Sequence, residues 1–306
     1  MSISALGEFD DNDEVPEFNT EKEISETGLK FIEELKKNEK KSSVKMINQT
    51  DDWYFSDKDY ITNSHLKIVK EGGIERYIAF KKGLLPQRKS PALDFGSALH
   101  CLILEPERFE KQFYVMDDTD ICNKIGGAMP RGTKAYKEWK AEELVKLGSR
   151  QLLTQESLTI ALAMAEKVHS IPECVDMIRD CLYEKIFTSE WNGVKTKGKI
   201  DMKHIGHEFF ADIKTTRFPA IKENFEWEFR KNGYARQMGF YANLLGIKSA
   251  WIIAIEKTYP YSVGLFEISE QTLALGYQEA EKELMKIKNL HDDPELALRK
   301  LTFGTL

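Results

Sequence analysis

The sequence has no long apolar run and few cysteines, and both absences limit what the protein can be. No stretch approaches the roughly 20 apolar residues that a membrane-spanning helix needs. The first residues lack the basic and apolar regions of a secretory leader. The 306 residues include four cysteines and no CxxC pair, which argues against a disulfide scaffold or a zinc site. We therefore expect a cytoplasmic protein with reduced thiols and no membrane contact.

Positive charge is also scarce, since the chain carries a net charge of −6. Residues 1–26 hold nine acidic residues and one lysine, which leaves residues 27–306 at a net +2. Charge alone therefore neither indicates nor excludes a nucleic-acid partner. The crowded acids and the lack of an apolar period predict a disordered tail over residues 1–26. We expect a tail and a solvated linker helix over residues 1–50, and one globular domain over residues 51–306.

The globular part has the pattern of several helices followed by a strand-rich block. Hydrophobic residues make up 42% of the chain, which is enough for a sizeable core. Helices are expected from Asn63 or Ser64 with a break at Gly72-Gly73, from Ala92 to Pro106, and over 134–147, 156–169, 174–182, 217–245 (with a break near Asn232-Gly233) and 269–290. Strands are expected over 183–190, 194–202, 208–214, 249–256 and 261–267. Residues 117–133 predict a loop, and residues 204–207 a turn in which Gly206 can adopt a positive φ.

The informative stretch is Lys197–Thr216, with the sequence KGKIDMKHIGHEFFADIKTT. Residues two apart in a strand point to the same face, so Asp212 and Lys214 should lie side by side. A turn between the two strands places Asp201 roughly opposite Ala211 or Asp212, about 5 Å away. Two carboxylates and one ammonium then converge in apolar surroundings. Carboxylates at close range repel each other, and a hard divalent ion such as Mg²⁺ or Mn²⁺ relieves that repulsion best.

The same spacing also fits an ordinary hairpin with surface acids and lysines, so spacing alone does not decide. Gln237 and Tyr241 are four residues apart and share one helix face, where the amide can hold a water, a metal ligand or a phosphate. His100 lies in an otherwise apolar helix, where it is either a satisfied core residue or a ligand for a metal or a phosphate. These three residues favour a functional site.

Four segments together resemble the PD-(D/E)XK nuclease superfamily, and within it the phage and prophage exodeoxyribonuclease VIII (RecE-type) nuclease domain. The segments are ITNSHLKIV, the helix FGSALHCLILEPERF, KGKID followed by ADIKTT, and YARQMGFY. The resemblance extends from about Tyr60 to about Leu290. It implies an α/β (α+β) fold in which helices flank a mixed central sheet, with extra helices at the N-terminal side.

The resemblance also implies residue roles, carried over position by position. The implied catalytic residues are Asp201, Asp212, Lys214, Gln237 and Tyr241. The implied ligands of a Mg²⁺ ion, with Mn²⁺ as the second choice, are His100, Asp201, Asp212 and the backbone carbonyl of Ile213. The candidate DNA contacts, all of them basic, are Lys81, Lys82, Arg88, Lys89, Arg131 and Lys199. Glu184 is a further acid that has no firm match in the family pattern.

The implied activity is Mg²⁺-dependent digestion of duplex DNA from an end, 5′ to 3′, which leaves 3′ overhangs for phage-type homologous recombination. The implied partners are DNA ends, a single-strand annealing protein and further copies of the chain in a ring. Three alternatives stay open. One is another PD-(D/E)XK nuclease, which acts as an endonuclease or on single strands. The others are a catalytically decayed DNA-binding relative and an unrelated scaffold with a chance hairpin, which would place His100 far from Asp201.

Overall fold

The computed structural model describes residues 24–36, 44–85, 91–116, 118–126, 133–147 and 150–292. Its strands are β1 (Lys45–Ile47), β2 (Phe113–Met116), β3 (Gln151–Thr154), β4 (Cys181–Trp191), β5 (Val194–His204), β6 (Phe209–Thr216), β7 (Ser249–Glu256) and β8 (Val263–Glu267). Its helices are α1 (Glu26–Lys36), α2 (Asp51–Ser56), α3 (Asn63–Lys81), α4 (Pro91–Leu104), α5 (Phe109–Gln112), α6 (Asp118–Ile125), α7 (Lys134–Leu147), α8 (Gln155–His169), α9 (Pro172–Ile178), α10 (Lys222–Asn232), α11 (Tyr234–Leu245) and α12 (Glu270–Asp292), with a 3₁₀ helix at Pro106–Arg108. Within these ranges no helix is both long and apolar enough to cross a bilayer.

A six-stranded mixed sheet forms the centre of the fold, in the order β1-β4-β5-β6-β7-β8. Strands β6 and β7 run parallel, and the other neighbouring pairs are antiparallel. A separate parallel pair consists of β2 and β3. The predicted mixed sheet flanked by helices is therefore confirmed.

Alternating residues of the strands build a separate core on each face of this sheet. In β6, Phe210 packs in the core that contains α11 and α12, whereas Ala211 and Ile213 pack in the core that contains α4 and α8. Asp212 and Lys214 follow Phe210 at even spacing and therefore lie on the α11 face. The sheet thus presents the predicted acid and lysine to α11, while α4 covers its opposite face.

Two glycines set the distance between α11 and α12. A Cβ atom added at Gly239 would overlap the backbone nitrogen of Tyr277, and one added at Gly276 would overlap the backbone carbonyl of Ala235. Only glycine allows two helix backbones to approach this closely. This close crossing fixes α11 between the sheet and α12.

The predicted turn at residues 204–207 is confirmed, whereas the predicted loop over residues 117–133 is wrong in part. Residues 118–125 form helix α6 rather than a loop, because Ile121 is buried in a small core beside Met116 and Tyr136. Gly206 does not use a positive φ. The ring nitrogen Nδ1 of His204 instead accepts hydrogen bonds from the backbone N–H groups of Gly206 and His207, at 2.9 and 2.7 Å.

The first described helix belongs to the core rather than to a solvated linker. Phe31 of α1 is 2% exposed, and its ring stacks on Tyr277 of α12 with the ring centres 4.2 Å apart. Strand β1 pairs with β4 at the edge of the sheet. The described residues before position 51 therefore pack on the same body as the sheet. The disordered tail predicted over residues 1–26 lies almost wholly outside the described residues.

Helix α3 begins at Asn63, and its N-cap lies one residue before the predicted cap positions Asn63 and Ser64. Thr62 is the N-cap, since its hydroxyl accepts from the backbone N–H of His65 and the His65 ring accepts from that of Thr62. The predicted break is confirmed at Gly73, where φ is 73°.

Candidate active site

Asp201 and Asp212 lie on the neighbouring strands β5 and β6. The strand register pairs Met202 with Ala211, which brings Asp201 level with Asp212, as the spacing predicts. The backbone N–H of Ile213 donates to Asp201 Oδ2 at 2.9 Å. This hydrogen bond fixes the Asp201 carboxylate against β6.

His100 reaches the same carboxylate from α4. Its Nδ1 lies 3.3 Å from Asp201 Oδ2, and its Nε2 lies 3.1 Å from the carbonyl oxygen of Ile213. Burial alone would lower the pKa of His100, but the nearby carboxylates of Asp201 and Glu184 raise it to about 9. His100, Asp201 and the Ile213 carbonyl, expected together as metal ligands, do lie together. The chance-hairpin alternative predicted the opposite.

Glu184 on β4 completes a cluster that the sequence motif had not included. Its Oε1 lies 3.6 Å from His100 Nδ1, and its Oε2 lies 2.7 Å from Lys199 Nζ. One ligand atom each from His100, Glu184 and Asp201 fall within 4.8 Å of one another. Glu184 has a φ of 52°, a left-handed backbone conformation that costs about 1–2 kcal/mol in a residue with a side chain. Such strain is typical of functional sites.

Hairpin geometry is the signal that could have found Glu184. The β4–β5 turn is Asn192-Gly193, both with positive φ (51° and 79°), as a two-residue type I′ turn requires. The pairing runs outward from Trp191 and Val194. Glu184 and Asp201, each seven residues beyond that first pair, lie between the pairs Tyr183–Met202 and Lys185–Ile200 and so face the same part of the hairpin. Counting from the Asn-Gly pair therefore brings this acid to the site.

The pKa values of Asp201 and Glu184 differ because their surroundings differ. Burial and the neighbouring charge of Asp212 raise the pKa of Asp201 to about 7. Burial also acts to raise the pKa of Glu184, but its hydrogen bond with His100 and the charge of Lys199 hold it at about 2. Crowded acids whose pKa values are pushed apart are a feature of catalytic sites.

Asp212 and Lys214 form a second group beside this cluster. Lys214 Nζ lies 2.5 Å from Asp212 Oδ2, and Gln237 Nε2 donates to Asp212 Oδ1 at 2.9 Å. The Gln237 amide also donates to the Tyr241 hydroxyl at 3.3 Å. These contacts join Asp212 to the three residues expected beside it, with Tyr241 linked through Gln237. Asp212 lies next to the His100–Glu184–Asp201 cluster rather than in it.

The side chains at the site fit a hard divalent cation. Asp212 Oδ2 is buried, and although it lies near Lys214 Nζ it makes no hydrogen bond among the described residues. The Asp212 carboxylate beside Lys214, two further carboxylates, a backbone carbonyl and one imidazole make an oxygen-rich ligand set. Mg²⁺ or Mn²⁺ suits such a set better than zinc. The residues that would hold the ion are His100, Glu184, Asp201, Asp212 and the Ile213 carbonyl.

Three of the six predicted DNA contacts lie in the described part of the chain. Lys199 lies between Glu184 and Asp51, with its Nζ 3.0 Å from Asp51 Oδ1, so carboxylates already surround its ammonium. Lys81 donates to the backbone carbonyl of Lys58 at the end of α3, and Lys82 follows it in an exposed position. The remaining three candidates, Arg88, Lys89 and Arg131, lie outside the described residues.

Comparisons with known proteins agree with this fold. The solved structure of a "Putative exonuclease" from Eubacterium rectale superimposes with a TM-score of 0.55 at 16% sequence identity, over 85% of this chain and 97% of that one. The structure of SSO0001 gives a TM-score of 0.28 at 16% identity, over 65% of this chain and 88% of that one, and carries no argument. A comparison with curated proteins gave no match. The model of one family, described as a PDDEXK-like domain of unknown function (DUF3799), matches residues 63–297. Because that match covers well over half of the chain, this protein belongs to the PDDEXK-like DUF3799 family.

Proposed function

We propose that this protein is a divalent-metal-dependent deoxyribonuclease that digests duplex DNA from an end. One observation carries the proposal: Asp201 lies level with the Asp212–Lys214 pair on neighbouring strands, with His100 and Glu184 against it. This arrangement suits the hydrolysis of a phosphodiester, which needs an activated water and positive charge near the reacting phosphate. The family match and the fold shared with the Eubacterium rectale structure support it.

The metal would contribute charge, and the protein side chains would position the reactants. A divalent ion held by the acids and His100 would acidify a water and offset the negative charge on the phosphate. Lys214, 16% exposed, can hold the attacking water or offset charge on the reacting phosphate. Gln237 holds the Asp212 carboxylate in place, and Tyr241 supports the Gln237 amide.

The finer parts of the proposal follow the family resemblance. We propose 5′ to 3′ digestion with Mg²⁺ that leaves 3′ overhangs, a ring of several copies that encloses the DNA, and transfer of the overhang to a single-strand annealing protein in phage-type recombination. A ring would let a chain of net charge −6 hold DNA in a channel lined by its basic residues. Lys81, Lys82, Arg88, Lys89 and Arg131 remain the candidate channel residues.

The first test is the digestion of linear and covalently closed circular duplex DNA with Mg²⁺, with Mn²⁺ and with EDTA. We expect loss of the linear DNA alone, in the presence of a divalent ion. Labels at the 5′ and the 3′ end of the linear DNA report the polarity of digestion. Cleavage of the circles would indicate an endonuclease. A linear single-stranded DNA is digested in parallel, and its loss without loss of duplex would indicate a single-strand-specific nuclease.

Matched variants locate the activity. Asp212→Ala should abolish cleavage. Asp176→Ala, which removes an exposed acid of α9 that pairs with Arg179, should not. If neither DNA is cut while wild-type protein still binds DNA, the protein is a decayed DNA-binding relative and the enzymatic proposal fails.

A further inference from the structure

Tyr234 contacts the ammonium of Lys214 through the face of its ring. The Lys214 Nζ lies 4.8 Å from the centre of the Tyr234 ring and 2.5 Å from Asp212 Oδ2. An ammonium above an aromatic ring is attracted by the ring's quadrupole, and more strongly when water is largely excluded. Lys214 is 16% exposed, so the contact lies in such surroundings.

The ring of Tyr234 is held in place by the residues around it. Gly233, with a φ of 68°, ends α10 and lets the chain start α11 directly at Tyr234. The ring packs against Phe225 and Phe229 of α10, with ring centres 6.3 and 6.1 Å away. The aromatic surface beneath the lysine is therefore part of the fold.

Tyr234, Gln237 and Tyr241 fall on one face of α11, at the spacing i, i+3 and i+7. Gln237 contacts the acid of the Asp212–Lys214 pair, and Tyr234 contacts the base. One helix face therefore holds both charged groups. The two residues of the Gln-x-x-x-Tyr motif account for the acid, and nothing in that motif accounts for the lysine.

We propose that Tyr234 is a positioning residue whose ring, rather than its hydroxyl, holds the Lys214 ammonium where the proposed hydrolysis needs it. The inference rests on the proposed function. A lysine side chain has many rotamers and loses conformational entropy when it is fixed. A ring face beneath the ammonium limits those rotamers before DNA binds.

The kinetic test compares Tyr234→Leu with Tyr234→Phe. We expect Tyr234→Leu to lower kcat about tenfold while KM changes little, because a cation–π contact in a largely buried setting is worth roughly that factor. Tyr234→Phe keeps the ring and should restore kcat to within about twofold of wild type. An equal loss of kcat in both variants would assign the effect to the hydroxyl and overturn the proposal.

Trp227→Leu is the matched control. Lys231 Nζ lies 4.5 Å from the centre of the Trp227 ring, so this variant removes the same type of contact from α10, away from the Asp212–Lys214 pair. Its kcat should equal that of wild type. If Trp227→Leu loses as much activity as Tyr234→Leu, the effect of the tyrosine is one of general packing.

A double variant tests whether Tyr234 acts through the lysine. In a Lys214→Ala background, Tyr234→Leu should lower the residual kcat no further, because the group that it positions is already gone. A further tenfold loss would show that Tyr234 acts on something other than Lys214, which contradicts the proposal.

The placement itself can be measured without DNA cleavage. Protons of the Lys214 side chain above the ring should show upfield NMR shifts that Tyr234→Phe keeps and Tyr234→Leu loses. If wild-type protein cuts no DNA but shows these shifts, the proposed function fails and the placement stands. Shifts that are the same in Tyr234→Leu and wild type would overturn the placement.

Discussion

Lys197 on β5 and Lys214 on β6 each place an ammonium between a carboxylate and an aromatic ring. Lys197 Nζ lies 3.0 Å from Asp57 Oδ1 and 4.4 Å from the centre of the Trp53 ring, and the side chain is 0% exposed. Lys214 likewise contacts one carboxylate, Asp212, and one ring, Tyr234, but part of its side chain reaches solvent. The two lysines therefore have the same kinds of partner and differ in what surrounds those partners.

The surroundings decide what each lysine can do. Lys197 also donates to the backbone carbonyl of Asp57 at 3.2 Å, and the rings of Tyr54 and Tyr60 lie 5.2 and 5.8 Å from its ammonium. It ties α2 to the sheet in a closed environment that no substrate can enter. The partner of Lys214 is instead next to a cluster of acids and a histidine. Residue types alone therefore do not distinguish a structural lysine from a catalytic one. Exposure to solvent and the neighbouring charges do.

The largest expected effect is that of Lys214→Ala on cleavage. The rate should fall about 1000-fold, since the variant removes the group that serves the attacking water or the charged phosphate. DNA binding, measured with Ca²⁺ in place of Mg²⁺, and metal binding should stay close to those of wild type. Single-turnover digestion of an end-labelled duplex measures the rate, and a rate equal to wild type would remove the lysine from the mechanism.

Lys197→Ala should reverse that pattern and affect stability. We expect a loss of about 3 kcal/mol in the free energy of unfolding, because the substitution strips a partner from Asp57 and empties a fully buried space. Lys197→Met, which keeps most of the stem, should lose less. Urea unfolding measures the loss, and activity per folded molecule should stay unchanged. If Lys197→Ala instead keeps full stability and loses activity, the two lysines do not differ as described.

His65, whose pKa responds to the charge of Lys197, should make the free energy of unfolding depend on pH. Burial, together with the charges of Lys81 and Lys197, lowers the pKa of His65 to about 4. The unfolded chain, with a histidine pKa near 6.5, therefore takes up a proton first as the pH falls. The free energy of unfolding should be insensitive to this group above about pH 6.5 and should fall by roughly 3 kcal/mol by pH 4.

Unfolding of wild type and His65→Gln from pH 4 to 8 measures this contribution. The variant should lose that part of the pH dependence. An identical slope in both proteins would show that other groups cause the slope.

The smallest effect is expected from deletion of residues 1–23, which lie before the described part of the chain. Folding and cleavage should not change measurably. Phe31→Ala in the shortened chain is the contrasting variant, because it removes a ring buried against α12 and should cost about 3 kcal/mol. A shortened chain that fails to fold would show that the acidic segment belongs to the core.

Local pattern was sufficient for five of the six strands of the central sheet, β4 to β8, and for part of the candidate site. The strands that bear Asp201 and Asp212 have a clear apolar period and a turn between them, and the (D/E)-x-K spacing follows from strand alternation. Helix spacing likewise joined Gln237 to Tyr241. These features depend on residues close together in the sequence, which is why the sequence predicts them.

The features that were not predicted depend on distant pairings. Trp53 and Asp57 contact Lys197, which lies about 140 residues later, and no local periodicity records that contact. The contact between the Tyr234 ring and Lys214 depends on how α11 packs over β6, which the sequence does not show. Glu184 is the exception, because the Asn192-Gly193 turn already fixed its place in the same part of the hairpin as Asp201. Helix α6 was missed because burial of Ile121 overrides a loop-like composition.

The link between α2 and β5 also determines which shortened form of the protein is worth making. The family match begins at residue 63, after the whole of α2, yet Asp51 and Asp57 hold the lysines at positions 199 and 197. A fragment of residues 63–297 would leave a fully buried ammonium without its carboxylate, which costs several kcal/mol. An inactive fragment of that kind would report misfolding rather than the absence of catalysis. A fragment meant to test the chemistry must keep α2 with its cap Thr50, and also α1 and β1, which pack on the same body.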